Sequence, residues 1–134
     1  MNRGLRITPL PSHTEEMAKA IVDSAYQIHT ALGPGLLESV YESCMTYELK
    51  LRGIEVKTQI TLPVIYKGMK VDTGFRLDLV VEDCVIVEIK STDELSAVHK
   101  AQLLTYLKLS NIRLGLLINF NVVHLRGSIN RIIN

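Results

Sequence analysis

Between residues 78 and 90 the chain reads DLVVEDCVIVEIK. Two runs of Val, Ile and Leu flank a polar Glu82-Asp83 step, which is the form of a β-hairpin. Yet the runs carry Asp78, Glu88 and Lys90. An isolated charge buried in such a sheet costs several kcal/mol or more, so these three must either face solvent or be paired in a site. The hairpin register decides which. A two-residue loop at Glu82-Asp83 sets Asp78 against Val87 and puts the two acids on opposite faces. A three-residue loop, Glu82 to Cys84, sets Asp78 against Glu88. The hydrophobic pattern favours the second, because it gathers Leu77, Leu79, Val81, Val85, Val87 and Ile89 on one apolar face. The opposite face then carries Arg76, Asp78, Val80, Ile86, Glu88 and Lys90, and is expected to be the exposed one.

The rest of the chain reads as a frame for that hairpin. Residues 1–11 contain two prolines and no periodicity, so they form an irregular N-terminal arm, and residues 12–134 form one domain. Ser12-His-Thr-Glu15 has the form of a capping box. Apolar residues at helical spacing then predict a helix to about Ala31. LGPG at 32–35 breaks it, and a second helix is expected from Pro34 to Gly53, with Leu37, Val40, Tyr41, Cys44 and Leu51 as its apolar stripe. Two strands are expected in IEVKTQI and LPVIYK, two more in GFRLDLVV and CVIVEIK, and a third helix in DELSAVHKAQLLTYLKLSN. RLGLLIN is an apolar strand, and VVHLRGSINRII reads as two short strands about Arg126-Gly127. The pattern α-α-β-β-β-β-α-β-β predicts a single α/β layer domain.

Composition excludes several classes. Hydrophobic residues make up 47% and charged residues 22% of 134, a soluble globular balance rather than a disordered one. No apolar run approaches the ~20 residues of a membrane span. The N-terminus lacks a signal-peptide core, so an intracellular, cytoplasmic protein is expected. Cys44 and Cys84 lack metal-ligand spacing and read as small hydrophobes. The net charge of +1 makes any polyanion site a local patch. No P-loop, GxSxG or dinucleotide fingerprint occurs.

For the charged hairpin face the plain alternative is a set of solvated cross-strand ion pairs, worth under about 1 kcal/mol each. Two observations favour a site. Paired carboxylates are the hard oxygen donors that Mg²⁺ prefers, and Lys90 shares their face within reach of a water or a phosphate oxygen. In the third helix Lys100 marks the wet side, while His99, Gln102 and Tyr106 share the opposite side with Leu95, Val98 and Leu109. Polar groups in an apolar stripe need partners, and a site on the adjacent sheet face would supply them.

Asp78, then Glu88-Ile89-Lys90, then Gln102-Leu-Leu-Thr-Tyr106 together resemble the PD-(D/E)XK nuclease superfamily. GLLESVY, with Gly35, Glu38 and Tyr41, matches the signature of the GxxExxY protein family. LGPGLLESVYE, FRLDLVVED, VIVEIKS, HKAQLLTYLKL and GLLINFNV resemble that family's segments in its order, over roughly residues 14–134. Leu77 stands where the superfamily's name has Pro. The resemblance implies a restriction-endonuclease-like fold, a central mixed β-sheet flanked by helices. It implies a nuclease that hydrolyses phosphodiester bonds of DNA or RNA with Mg²⁺ or Mn²⁺. Asp78, Glu88 and the Ile89 carbonyl would hold the metal and Glu38 would complete its site. Lys90 would orient the attacking water and offset phosphoryl charge, and Gln102 and Tyr106 would position Lys90 or the phosphate backbone. Arg76, His99 and Tyr41 are candidate substrate-binding residues.

On a helical wheel Glu48 lies nearer the middle of the second helix's stripe and Glu38 on its flank; geometry alone selects neither, and the resemblance selects Glu38. Without it, Glu38 reads as a first-turn acid complementing the helix dipole. His29, His13 and His124 read as structural or surface groups. Nucleic acid is the expected partner, with no membrane, and a homodimer or partner protein is a candidate source of further binding surface. The competing class is a catalytically inactive nucleic-acid or protein-binding module on a nuclease scaffold. An assembly protein using LGLLINFNVVHL as an interface is a third.

Overall fold

A computed structural model describes residues 8–134, so residues 1–7 of the N-terminal arm lie outside the described residues. The chain runs α1 (Ser12–Leu32), α2 (Glu38–Leu51), β1 (Val56–Tyr66), β2 (Met69–Val81), β3 (Val85–Lys90), α3 (Ala97–Ser110), β4 (Leu114–Asn119) and β5 (Ile129–Ile133). The strands form one five-stranded sheet in the order β1-β2-β3-β4-β5. Only β3 and β4 are parallel, with α3 as their crossover, and the other neighbours are antiparallel. This is the expected central mixed sheet with flanking helices.

Two hydrophobic layers sandwich the sheet. On one face α1 and α2 bury Ile21, Ala25, Tyr41, Met45 and Leu49 against Leu79, Val81, Val85, Val87 and Ile89. On the other, α3 buries Leu103, Tyr106 and Leu107 against Leu77, Val80, Ile86 and Leu117. The face expected to be exposed is therefore covered. A strand with a parallel neighbour and a crossover helix is buried on both sides, and β3 is buried over Val85–Ile89. Gly115 makes that cover possible, because a Cβ there would stand 2.9 Å from Leu103 of α3.

Several expectations are corrected. The two strands read from IEVKTQI and LPVIYK are one strand, β1. Its ladder passes from Leu62↔Phe75 to Val64↔Val71 through a register shift at Pro63. Pro has no N–H for a ladder and is tolerated at such a bulge. The tail holds one strand, β5, because residues 122–128 turn and do not pair. The Ser12 capping box is absent: Pro11 is the N-cap and no side chain caps it, while Glu15 binds Arg131 at 2.6 Å. Helix α2 starts at Glu38, not Pro34, and buries Tyr41, Met45 and Leu49. Leu37 and Leu51 of its expected stripe are exposed, as are Val98 and Leu109 of α3. A true capping box opens α3, where Ser96 Oγ accepts from the His99 N–H and His99 Nδ1 accepts from the Ser96 N–H.

Candidate active site

The register expected for the β2–β3 hairpin is the one formed. Val81 pairs with Val85, Val80 with Ile86 and Leu79 with Val87. Glu82 and Asp83 take left-handed backbone angles, φ 49° and 54°, and the Cys84 N–H closes the turn on the Val81 carbonyl at 3.0 Å. Continued one step, this register sets Asp78 opposite Glu88, and there the backbone ladder stops.

At that step the carboxylates take over from the carbonyls. The Asp78 N–H donates to Glu88 Oε2 at 3.0 Å, and the Ile89 N–H donates to Asp78 Oδ2 at 2.8 Å. Each acid satisfies an amide of the other strand, so the two strands are stitched by side chains where they begin to part. Across the other edge of β2, Gln59 stands opposite Asp78, between the pairs Thr58↔Leu79 and Ile60↔Leu77, with φ 50°. A left-handed non-glycine residue is strained. The local twist puts Leu77 in the α3 layer while Leu79 stays in the α1–α2 layer. Leu77 thus departs from the single apolar face expected for the hairpin.

Glu88 is only 5% exposed. Burial, and next the charge of Asp78, push its carboxyl up to about 8, against the opposing pull of the Asp78 N–H and Lys90. Asp78 is also raised, first by burial; the Ile89 N–H lowers it, Glu42 raises it, Lys90 lowers it and Glu38 raises it. Lys90, Glu38 and Glu42 therefore all lie within electrostatic reach of Asp78. Tyr106 is pushed up to about 12 by burial and then by Glu88 and Asp78, so its phenol stays protonated. Its ring packs against Phe75, with centroids 5.1 Å apart.

Glu38 reaches the same region from the exposed start of α2, where its Oε2 accepts from the Ser91 N–H at 3.4 Å. Ser91 Oγ also donates to the Leu36 carbonyl at 2.6 Å. The residue after Lys90 thereby ties the α1–α2 loop to the end of β3. Glu42, one turn after Glu38, was missed by the sequence reading. It accepts from Gln59 Nε2 at 2.8 and 2.9 Å and acts on both Asp78 and Glu88. The i, i+4 spacing of two acids on one helix was the available signal.

Other expected site residues are placed differently. Tyr41 is corrected from substrate contact to support. Its ring is fully buried and stacked on Phe120 at 4.4 Å. Its hydroxyl donates to the Gly33 carbonyl at 2.6 Å and accepts from the Leu36 N–H. No face remains for a ligand, and the ring braces the loop that leads to Glu38. His99 sits at the start of α3, where Nδ1 belongs to the capping box. Gln102 is half-buried on the turn before Tyr106, and Arg76 is exposed on β2 two residues before Asp78. His29 is structural as expected, with Nε2 2.8 Å from the Val122 carbonyl. LGLLIN is the apolar strand expected, β4, and its burial leaves it unavailable as the interface of the third reading.

The donor set fits a small hard cation. Among the described residues no three His, Cys, Asp or Glu side chains are gathered as a complete ligand set. Mg²⁺, however, is commonly held by one or two carboxylates and completed by water. Two adjacent carboxylates, Glu88 buried and Asp78 half-buried, both with raised proton affinity, form a place where positive charge is favourable. Among the described residues no helix is long and apolar enough to cross a membrane.

No curated protein and no solved structure matches the chain. A family model described as the PD-(D/E)XK nuclease superfamily matches residues 15–132. The match spans both helical layers, the carboxylate-stitched strands and all five strands of the sheet, and the chain belongs to the PD-(D/E)XK nuclease superfamily.

Proposed function

We propose that the chain is a divalent-metal-dependent phosphodiesterase acting on nucleic acid, as its resemblance to the GxxExxY family implies. The observation that carries this reading is the reciprocal stitch of Asp78 and Glu88, two acids forced together against their own charge with Lys90 beside them. A purely structural ladder would close the same gap with backbone carbonyls at lower cost.

When bound, Mg²⁺ or Mn²⁺ supplies Lewis-acid polarisation of phosphate oxygens and activation of water. Asp78, Glu88 and the Ile89 carbonyl would hold it, with Glu38 at the rim. Lys90 keeps its ammonium beside both acids, where it orients the attacking water and offsets charge growing on the phosphoryl oxygens. Tyr106, held protonated by burial beside Glu88 and Asp78, is a hydrogen-bond donor for the buried wall of the site, and Gln102 lies one turn before it. Arg76 offers a charge to a phosphate outside the scissile one. His99 acts through its helix as a positioning residue. Burial of Glu88 and Tyr106 strengthens their interactions relative to water.

Calorimetric titration of Mn²⁺ into the wild type and Asp78→Ala, at matched ionic strength, tests the centre. Binding in the wild type and none in the variant is expected. Cleavage of labelled DNA and RNA should fall by about 10²–10⁴-fold or more in Asp78→Ala and Lys90→Ala, with circular dichroism unchanged. Cleavage that survives either substitution sinks the assignment. Metal-independent nucleic-acid binding without any cleavage would instead favour the binding-module reading.

A further inference from the structure

Strand β2 runs from Met69 to Val81 but pairs with β3 only over Leu79–Val81. Beyond Asp78 it is bonded to β1 alone, as far as the pair Tyr66↔Met69. The β1–β2 hairpin therefore overhangs the sheet as a two-stranded ribbon that begins at the carboxylate site. At about 3.3 Å per residue, the stretch from Asp78 to Met69 extends for up to roughly 30 Å. Residues 65–70, at its tip, are all exposed.

Neither core layer explains this ribbon. The last β1 and β2 residues in the α3 layer are Leu62 and Leu77, and Phe75 makes one ring contact to Tyr106. An isolated two-stranded hairpin is marginal in water. This one nevertheless leaves Ile65, Tyr66 and Met69 each more than half exposed. Its charge is distinctive. Residues 62–76 contain Lys67, Lys70 and Arg76 and a single acid, Asp72, a net +2 in a chain whose total is +1. Lys67 Nζ lies over the Tyr66 ring, 5.4 Å from its centroid, so a cation and an aromatic face are presented together at the tip.

We propose that this ribbon is the substrate-gripping arm of the protein, which lies along nucleic acid leading into the Asp78–Glu88 site. Lys67 and Arg76 contact backbone phosphates on either side of an exposed Tyr66 that packs on a base or sugar. Charge complementarity selects a polyanion over a second copy of this chain, whose remaining residues sum to only −1. The length suits the task, since a two-stranded ribbon is admitted by the major groove of B-DNA and base–aromatic stacking serves single strands. The inference rests on the nucleic-acid reading above and adds the element that holds the substrate.

The test is fluorescence anisotropy with labelled mixed-sequence duplex DNA, single-stranded DNA and RNA, over a salt series in chelator. The wild type is compared with the combined Tyr66→Ala, Lys67→Ala, Arg76→Ala variant. A second variant replaces residues 64–71 by an Asn-Gly turn and keeps both core layers. Expected is a loss of roughly ten- to a hundredfold in affinity for the best substrate in both variants. The log–log salt slope for duplex DNA should fall by about two in the triple variant, as two phosphate contacts go, and by about one in the shortened variant, which keeps Arg76. Mn²⁺ binding in calorimetry should be unchanged. Wild-type affinity and slope in both variants would overturn the arm while leaving the nuclease reading intact. Loss of self-association on shortening the ribbon, with nucleic-acid binding intact, would also overturn it and assign the ribbon to a second copy. A wild type that neither binds nor cleaves any of the three would overturn the nuclease reading and the arm together.

Discussion

The two ends of the β2–β3 hairpin are built from the same kinds of residue and do opposite things. At the turn end, Val81, Val85, Val80 and Ile86 pair by backbone and are buried in the two core layers. Each buried aliphatic side chain there contributes about 1.5–3 kcal/mol. Three residues from Val81 and Val85, Asp78 and Glu88 occupy the rung after Leu79 and Val87 and hold it with carboxylates. Burial raises the proton affinity of both, so that end lowers stability at alkaline pH. One end stabilises the fold, and the other uses the rigidity so obtained to hold two like charges together. On the proposed reading, this exchanges stability for function.

Truncation at the turn end should have the largest effect on folding. Ile86→Ala is expected to lower stability by about 2–5 kcal/mol in urea unfolding. A cost under about 1 kcal/mol would mean that the α3 layer collapses onto the gap and is less rigid than its packing implies.

At the other end the comparison reverses sign. Glu88 has a folded-state value of about 8 against an ordinary 4.5, so the folded state binds more protons between those values. The metal-free protein should be at its full stability below about pH 4.5 on this account. It should lose stability as pH rises towards about 8, by an amount on the order of a few kcal/mol, and level off above. Glu88→Gln keeps an acceptor for the Asp78 N–H and should flatten the profile over that window. Denaturation midpoints of both proteins at several pH values measure this. Adding Mn²⁺ at pH 8 should recover the lost stability in the wild type alone, because the metal binds the ionised form. Parallel profiles for the two proteins would show that Glu88 does not bear the strain.

The turn itself should respond least. Asp83 holds φ 54° and pairs with the exposed Lys57 at 2.9 Å. Asp83→Gly relieves the backbone and forfeits an ion pair of little value. A gain of a few tenths of a kcal/mol is expected in thermal unfolding. A loss above about 1 kcal/mol would show that the Lys57 contact, and not the turn geometry, sets the register.

Sequence alone determined the hairpin register, since only one loop length collects the apolar side chains, and a period of two leaves no compromise between faces. It also determined α1, whose apolar spacing is long and regular, and the placing of Asp78 against Glu88, which follows from that register. Tertiary structure decided what no local pattern states. Parallel pairing with β4 covered the face that alternation alone had read as exposed. Pro63 and residues 72–74, which locally resemble strand ends, were absorbed as a bulge because β1 and β2 continue to pair beyond them. Tyr41 went to the core because Phe120, 79 residues later, stacks on it. Glu42 entered the site through Gln59, a partner on another element. Periodicity reports which way a side chain faces within its own element, whereas burial depends on what another element places against that face.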